Sequence, residues 1–298
     1  MSYDHSTTPL ACYEIPPEVS DYIIDHVWDK ATLANCSLVC RSWANRSRHR
    51  LFRTVDISIK RCSKLEDFIA FLLSSPHLTS SIRNLALRGT IADDRLSYAA
   101  WFYISAEILL TCLDKLPNIA ELSLYGVRLT GGMKAGGRIM PSAVRHQDRP
   151  VKTLLLSYVF ADPDVLFQTL HYFPNLRHLS AEAIYWTPEY EHANDACYLP
   201  STPLTLEYMN VGGGSSYNMA AQFFPRIQRN FDVTCLRSLT LHFDQLNDSP
   251  ETSQFMDCAG SRLECLHIII GKRARVTDCQ YLVSVPDIVD FMLTTQSS

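Results

Sequence analysis

The N-terminal part of the chain places apolar side chains at helical spacing. Val19, Ile23 and Val27 recur every four residues after an entry of two prolines, which predicts a first helix. Thr32 is placed to cap a second helix, in which apolar residues recur through 33–43. Three short helices in about 45 residues enclose little surface, because domains of this size usually need a staple or a partner. The segment is therefore either the start of a larger core or a module that docks on another protein.

A different pattern begins at residue 52 and recurs along the rest of the chain. It reads apolar, two variable positions, apolar, one variable position, apolar. It occurs at 52–57, 82–87, 119–124, 151–156, 176–181, 206–211, 236–241 and 263–268. The starts lie roughly 30 residues apart, which is the length of one strand, one helix and their turns.

Helix-like apolar segments lie between these phrases, at 65–73, 101–116, 164–173 and 219–231, and another lies in the C-terminal tail, 281–298. Each unit would have an apolar strand edge and an apolar helix face that it cannot bury alone. We therefore predict an α/β fold class in which N-terminal helices precede a curved solenoid of stacked units, with a parallel sheet on its concave face. A non-repeat α/β domain is the alternative.

Composition narrows the class of partner. The 298 residues carry a net charge of -4, which gives no bulk electrostatic reason to expect nucleic acid or an anionic membrane. The arginines clustered within 41–53 are interpreted as a solvated helix face. The start lacks a secretory signal, and no apolar run approaches the roughly 18 residues of a membrane span. We therefore expect an intracellular protein, in the cytoplasm or nucleus, with reduced cysteines.

Motifs for chemistry are missing from the sequence. The glycines within 131–137 are not followed by Lys-Ser or Lys-Thr, and 212–216 does not form a nucleophile elbow. There is no Cys-x-x-Cys pair and no Cys/His quartet with zinc spacing. His171 and His178 are interpreted as structural. We predict no catalytic residue, no metal and no cofactor, and an enzyme is the least favoured alternative.

Residues 14–57 resemble an F-box, in the short form of fungal families. The matching pieces are the entry at 15–19, the pair at 23–24, the run at 33–43 and the closing residues 51–53. The resemblance implies docking on the Skp adaptor of Skp-cullin-F-box ubiquitin ligases, which supplies an apolar groove. Trp28 departs from the family, where smaller or aliphatic residues are usual. The implied adaptor-binding residues are Ile15, Pro16, Glu18, Val19, Ile24, Val27, Leu33, Val39, Cys40 and Trp43.

The region after the F-box resembles irregular leucine-rich repeats. One family element is missing, because the position three past each phrase holds no Asn or Cys to satisfy a turn. That position holds Lys60, Thr90, Val127, Val159, Ile184, Gly214, Asp244 and Gly271. The repeats are therefore interpreted as degenerate.

The variable positions of the phrases would point outward from the concave sheet, where a mixed polar set suits a protein ligand. The Gly-rich segment 128–150 and the acidic, aromatic segment 185–203 are interpreted as binding loops or spacers. The candidate substrate-binding residues are Arg88, Tyr125, Glu182, Tyr185, Trp186, Asn210, His242 and His267.

We therefore expect a disordered start at 1–13, an F-box at 14–57 and a repeat-like recognition domain at 58–298. The predicted function is a substrate-recognition adaptor of a Skp-cullin-F-box ubiquitin ligase. The predicted partners are a Skp-type adaptor, through it a cullin, and a protein substrate, with neither nucleic acid nor membrane. The alternative is a repeat scaffold that binds a protein partner without promoting ubiquitin transfer.

Overall fold

The computed structural model describes residues 15–59, 63–89, 102–131, 149–186, 203–212, 219–243, 250–259, 262–270 and 290–295. The chain divides into two compact units, Met1–Arg53 and Thr54–Ser298. The segment 1–13, for which disorder was predicted, lies outside the described residues. The domain boundaries expected from the sequence stay predictions.

Three helices form the described part of the first unit, which we call the helical unit: α1 (Pro17–Asp25), α2 (Lys30–Val39) and α3 (Arg41–Arg53). Pro17 occupies the first turn of α1, where its missing N–H costs no hydrogen bond. The prediction that Thr32 caps the second helix is wrong. Asp29 caps α2, because its carboxylate accepts a hydrogen bond from the Thr32 N–H at 2.7 Å. The Thr32 hydroxyl donates to the same carboxylate, also at 2.7 Å.

A charge pair joins the first and third helices. The Arg46 guanidinium donates to the Asp25 carboxylate, with Nε 2.7 Å from Oδ1, and Arg50 lies 4.0 Å from the same carboxylate. Among the described residues of this unit, only Ile24 and Leu33 are buried apolar side chains. The helical unit therefore has a small apolar interior, as its length predicts.

The second unit alternates strands and helices. Its helices are α4 (Ser63–Ser74), α5 (Pro76–Thr79), α6 (Ala106–Leu113), α7 (Pro163–Leu170), α8 (Met219–Asn230) and α9 (Pro250–Ala259). Its strands are β1 (Thr54–Ile59), β2 (Asn84–Gly89), β3 (Phe102–Ser105), β4 (Glu121–Thr130), β5 (Thr153–Ala161), β6 (His178–Trp186), β7 (Leu204–Thr205), β8 (Tyr208–Gly212), β9 (Phe231–Asp232), β10 (Ser238–Phe243), β11 (Cys265–Ile270) and β12 (Asp290–Thr295).

The strands form a parallel sheet whose order follows the chain. The order is β1-β2-β4-β5-β6-β8-β10-β11-β12, with β3 paired to β4, while β7 and β9 form a separate pair. Each of the eight predicted phrases contains a strand start, and each strand begins two residues after the phrase does. The predicted fold class, N-terminal helices followed by a parallel sheet built from repeating units, is confirmed. The curvature of the sheet stays a prediction.

Within the second unit, a shared backbone carbonyl joins consecutive strands of the sheet at the point where they begin. The Arg83 carbonyl accepts hydrogen bonds from the N–H groups of Ala120 and Glu121, at 2.7 and 3.0 Å. The residue just before each of β4, β5, β6, β8 and β10 repeats this two-donor contact. The other accepting carbonyls are those of Ala120, Lys152, Arg177, Glu207 and Arg237. We call this series the carbonyl ladder, and it fixes the register at which β4, β5, β6, β8, β10 and β11 start.

Three neighbouring strands make a left-handed backbone step at the same height. Gly126, Tyr158 and Ala183 have φ of 62°, 53° and 52°. The residues on either side of them pair directly from β4 to β5 and from β5 to β6. Immediately after the step come Val127, Val159 and Ile184, each 0% exposed. These buried aliphatic residues occupy the position of the missing Asn or Cys, because here the strand continues instead of turning.

Three local predictions are wrong. The segment 101–116 is not one helix, because Phe102–Ser105 pairs with β4 as a strand before α6 begins. The tail contains a strand, Asp290–Thr295, paired with β11, where a helix-like segment was predicted. Tyr185 and Trp186 lie in β6 and not in a loop. Most of the predicted loop segments, 132–148 and 187–202, lie outside the described residues.

Gly89 tests the close approach of neighbouring strands. A Cβ at this position would lie 2.0 Å from the Gly126 carbonyl oxygen, which is backbone and cannot rotate away. We expect Gly89→Ala to lower the free energy of unfolding by about 2 kcal/mol, measured by urea titration of the full chain. Gly131→Ala is the control, because its nearest neighbour would be a Val165 methyl carbon at 3.3 Å. Equal losses for the two variants would contradict this account of the packing.

Candidate protein-docking surfaces

The helical unit exposes most of the predicted adaptor-binding residues. Ile15, Pro16, Glu18, Val19, Val39 and Cys40 are exposed, Val27 and Trp43 are half-buried, and Ile24 and Leu33 are buried. Ile24 and Leu33 therefore pack inside the helical unit. The assignment of the ten residues to an adaptor contact stays a prediction.

Further large apolar side chains extend this exposed surface. Tyr22, Trp28 and Leu38 are 67%, 85% and 80% exposed, beside Val39 at 64%. Sequence reasoning did not select Tyr22 and Leu38, because it followed a single apolar stripe per helix. The available signal was that apolar residues surround α2 instead of forming one stripe. We call these exposed side chains of α1, α2 and the residues between them the exposed apolar surface of the helical unit.

Cys40 is an accessible thiol within this surface. Its Sγ lies 3.1 Å from the Ser42 hydroxyl oxygen. The pKa of Cys40 is lowered, first by this hydrogen bond and then by one from the Trp43 backbone N–H. By contrast, burial in α6 raises the pKa of Cys112 to about 12. Thiolate reactivity is therefore expected at Cys40 and not at Cys112.

The sheet presents one accessible face, on which side chains stack in rows across the strands. Alternate strand residues are buried on the other face, so the register defines each row. One row, which we call the tyrosine row, runs through directly paired residues of β1, β2, β4, β5, β6 and β8 and continues to β10. Its members are Ser58, Arg88, Tyr125, Ser157, Glu182, Gly212 and His242.

The structure brings six of the eight candidate substrate-binding residues onto this face. Arg88, Tyr125, Glu182 and His242 belong to the tyrosine row. Asn210 and His267 belong to the neighbouring row, both in register with Thr240 of β10. The Asn210 amide nitrogen donates to the Ser180 hydroxyl at 3.2 Å within that row. Whether any of these residues contacts a substrate stays a prediction.

Tyr185 and Trp186 lie elsewhere, beyond the left-handed step. The Tyr185 ring stacks on Phe160 at 6.3 Å between centroids, and the Trp186 ring stacks on Phe223 at the same distance. Next to Phe160, the Arg128 guanidinium carbon lies 5.1 Å from the Phe160 ring centroid and 5.2 Å from that of Tyr103. These aromatic contacts give Tyr185 and Trp186 a packing role that sequence reasoning did not anticipate.

A polar groove of about 610 Å³ lies where the strands begin. Its lining includes Glu121, Lys152, Arg177, His178 and Glu207. Arg177 and Glu207 form an ion pair at 2.9 Å, which leaves the groove with mixed charge. The groove is open and lined by both hydrogen-bond donors and hydrogen-bond acceptors.

The described ranges hold no metal site or membrane helix. No three His, Cys, Asp or Glu side chains in them group closely enough to hold a metal ion. None of the helices within those ranges combines the length and apolar content needed to cross a bilayer. The His171 Nε2–H donates a 2.7 Å hydrogen bond to Oδ1 of the buried Asn230, and burial lowers the pKa of His171. This contact supports the structural interpretation of His171.

Comparison with known proteins assigns the N-terminal segment. Residues 12–58 match the family model described as F-box-like, which confirms the resemblance predicted for residues 14–57. No curated protein sequence matches the chain significantly. Among solved structures, the chain is similar to a crystal structure of an internalin (inlF) from Listeria monocytogenes, with 14% identity and a TM-score of 0.35. The match covers 84% of this chain and 70% of that one, but the TM-score is too low to equate the two folds.

The Asp25 charge pair predicts a pH dependence of the helical unit. The hydrogen bond from Arg46 lowers the pKa of Asp25, so the pair stabilises the unit above the unfolded pKa. This stability is lost as the pH falls through the lowered folded pKa. Asp25→Asn should cost on the order of 1 kcal/mol near neutral pH, since the pair is part-exposed, and almost nothing once the pH lies below the lowered folded pKa.

The measurement is hydrogen exchange of residues 17–53 in the full chain, corrected for the intrinsic exchange rate at each pH. Asp67→Asn, an exposed position on α4, is the matched control and should change nothing. A protection loss in Asp25→Asn that does not depend on pH would show that the effect is packing and not charge.

Proposed function

We propose that this protein is a substrate-recognition adaptor of a Skp-cullin-F-box ubiquitin ligase. Its F-box-like segment docks on a Skp-type adaptor, and through it on a cullin. The second unit, Thr54–Ser298, which we call the sheet unit, holds a protein substrate. F-box domains generally bind Skp-type adaptors, so the match over residues 12–58 carries this proposal. The described residues of the helical unit have only two buried apolar side chains, and they expose several others.

The energetic argument rests on the exposed apolar surface of the helical unit. Burying an apolar side chain in a partner gains about 25 cal/mol for each Å² removed from water. Side chains such as Leu38 and Val39 already stand in water, so docking removes exposed area without first unpacking the unit. Aromatic anchors usually dominate such interfaces, and Tyr22, Trp28 and Trp43 are candidates in the helical unit.

The role proposed for the sheet unit is to hold a substrate and not to react with it. A tethered substrate presents its lysines to the ubiquitin-loaded enzyme at a raised effective concentration, and no bond is made by a residue of this chain. The accessible sheet face, with its polar and aromatic rows, supports this role. A scaffold that binds the adaptor without promoting ubiquitin transfer is the alternative function, and complexes that contain the adaptor but exclude the cullin would favour it.

Capture of the adaptor tests the docking surface. We expect Val39→Glu to weaken capture of a co-expressed Skp-type adaptor at least tenfold, because it places a charge in an apolar groove. Leu73→Glu is the control, since Leu73 is 61% exposed on α4, outside the helical unit, and should leave capture unchanged. Failure of the wild-type chain to capture the adaptor, or equal capture by both variants, would refute the proposal.

Cysteine footprinting tests the same surface without a substitution. In the free chain, maleimide should modify Cys40 faster than Cys258, because both thiols are exposed and the pKa of Cys40 is lowered by its hydrogen bonds. In the complex with the adaptor, Cys40 should be protected, while Cys258 on α9 should react as before. Full reactivity of Cys40 in the complex would place the contact elsewhere.

A further inference from the structure

The tyrosine row contains a notch with an aromatic wall, an acidic wall and a small floor. Tyr125 and Glu182 flank Ser157, because β4 and β6 lie on either side of β5. Neighbouring strands lie about 4.8 Å apart, so the backbones of the two large residues are about 10 Å apart. Ser157 between them fills little of that space. We call this the Ser157 notch.

Tyr158 completes the aromatic wall. Its ring packs edge-to-face on Tyr125, with 5.5 Å between the ring centroids, and remains 37% exposed. The equivalent positions of the left-handed step are Gly126 on β4 and Ala183 on β6. Only β5, among these three strands, keeps a bulky side chain in a backbone conformation that disfavours one. The fold thus holds an aromatic ring beside the notch at a position whose left-handed backbone conformation disfavours a bulky side chain.

The opposite wall carries an uncompensated negative charge. Glu182 is exposed, and within the described part of the chain no cationic side chain lies at ion-pair distance from it. The nearest arginine in the row, Arg88 on β2, is held by Asp56, with Nε 2.7 Å from the carboxylate oxygen. The charge on the Glu182 side of the notch is therefore free to meet a cation from outside.

We infer that the Ser157 notch binds a lysine or arginine side chain of the substrate protein. A cation is attracted both to tyrosine rings and to a carboxylate, and the notch has tyrosine side chains on one side and a carboxylate on the other. Leu155, two residues earlier on β5 and half-buried on the same face, lies between Ser123 and Ser180. Next to Ser157, it offers an apolar side chain against which the aliphatic stem of the bound lysine or arginine can pack. This inference rests on the proposed function, since it names the class of substrate that the sheet unit takes.

Peptide selection on the immobilised full chain tests the inference. We expect a randomised peptide library to yield binders that share a lysine or arginine at one fixed position. In an enriched peptide that carries arginine, its replacement by citrulline, which is neutral and of similar shape, should weaken binding at least tenfold. Binders without a common basic position, or equal binding of the citrulline peptide, would overturn the inference.

Three variants locate the contact. Glu182→Gln should weaken binding of the enriched peptide roughly tenfold, while Glu264→Gln, the same charge change on an exposed residue just before β11, should leave it unchanged. Tyr158→Asn should weaken binding about threefold to tenfold, because asparagine accepts the left-handed backbone but lacks the ring. An equal effect of Glu182→Gln and Glu264→Gln would show that only net charge matters, which would overturn the notch.

Adaptor capture separates this inference from the proposed function. All three variants lie outside the helical unit and should capture the Skp-type adaptor as the wild type does. Loss of adaptor capture by the wild-type chain would refute the proposed function while leaving the peptide result readable. Normal adaptor capture without selection of basic peptides would refute the notch alone.

Discussion

The hydrogen bonds between neighbouring strands are the constraint on which the sheet unit depends. A single strand leaves its N–H and C=O groups unsatisfied, and a single repeat is too short to bury its apolar strand and helix faces. The carbonyl ladder satisfies some of these backbone groups where the strands begin, because one carbonyl oxygen accepts hydrogen bonds from two N–H groups at the start of the next strand. With the starts of these strands fixed, the alternation of side chains determines which residues lie on the buried face of the sheet and which form the tyrosine row on the accessible face.

The two units illustrate different balances of burial. The sheet unit buries an apolar residue before nearly every strand, as at Ile82, Ile119 and Leu176, each at most 1% exposed. The described helical unit instead combines two buried apolar side chains with a part-exposed charge pair. Part-exposed ion pairs contribute little stability. The helices therefore rely on a small buried core, while other apolar side chains remain exposed to solvent. A segment of that composition gains more from a partner than a self-sufficient domain does.

The sequence predicts most strand positions well because each phrase marks both where a strand begins and which of its side chains lie on the buried face of the sheet. The first apolar residue of the phrase, two positions before the strand, is buried in the preceding turn. The other two apolar residues lie in the strand, two positions apart, and both point into the core. The strands β3 and β12 were missed because their aromatic and aliphatic residues also fit a helix. The left-handed φ of Tyr158 was not predictable from its identity, because the stacking of Gly126, Tyr158 and Ala183 across three strands imposes it. The equal offset of Tyr125, Ser157 and Glu182 from the starts of their phrases places them in one row, but the phrase gives no sign of the Tyr158 ring that packs beside them.

The carbonyl ladder also bears on how the chain acquires its structure. Each shared oxygen links only consecutive units, so the sheet can begin to form at any adjacent pair of strands and grow in both directions. Each step closes a loop of roughly 30 residues, and loop-closure entropy rises only slowly with such lengths. Assembly therefore needs no contact between the distant ends of the array, and an early pairing in the middle supplies the template for its neighbours. In this respect, the sheet unit can assemble strand by strand from any starting pair, as a linear polymer grows by addition at its ends.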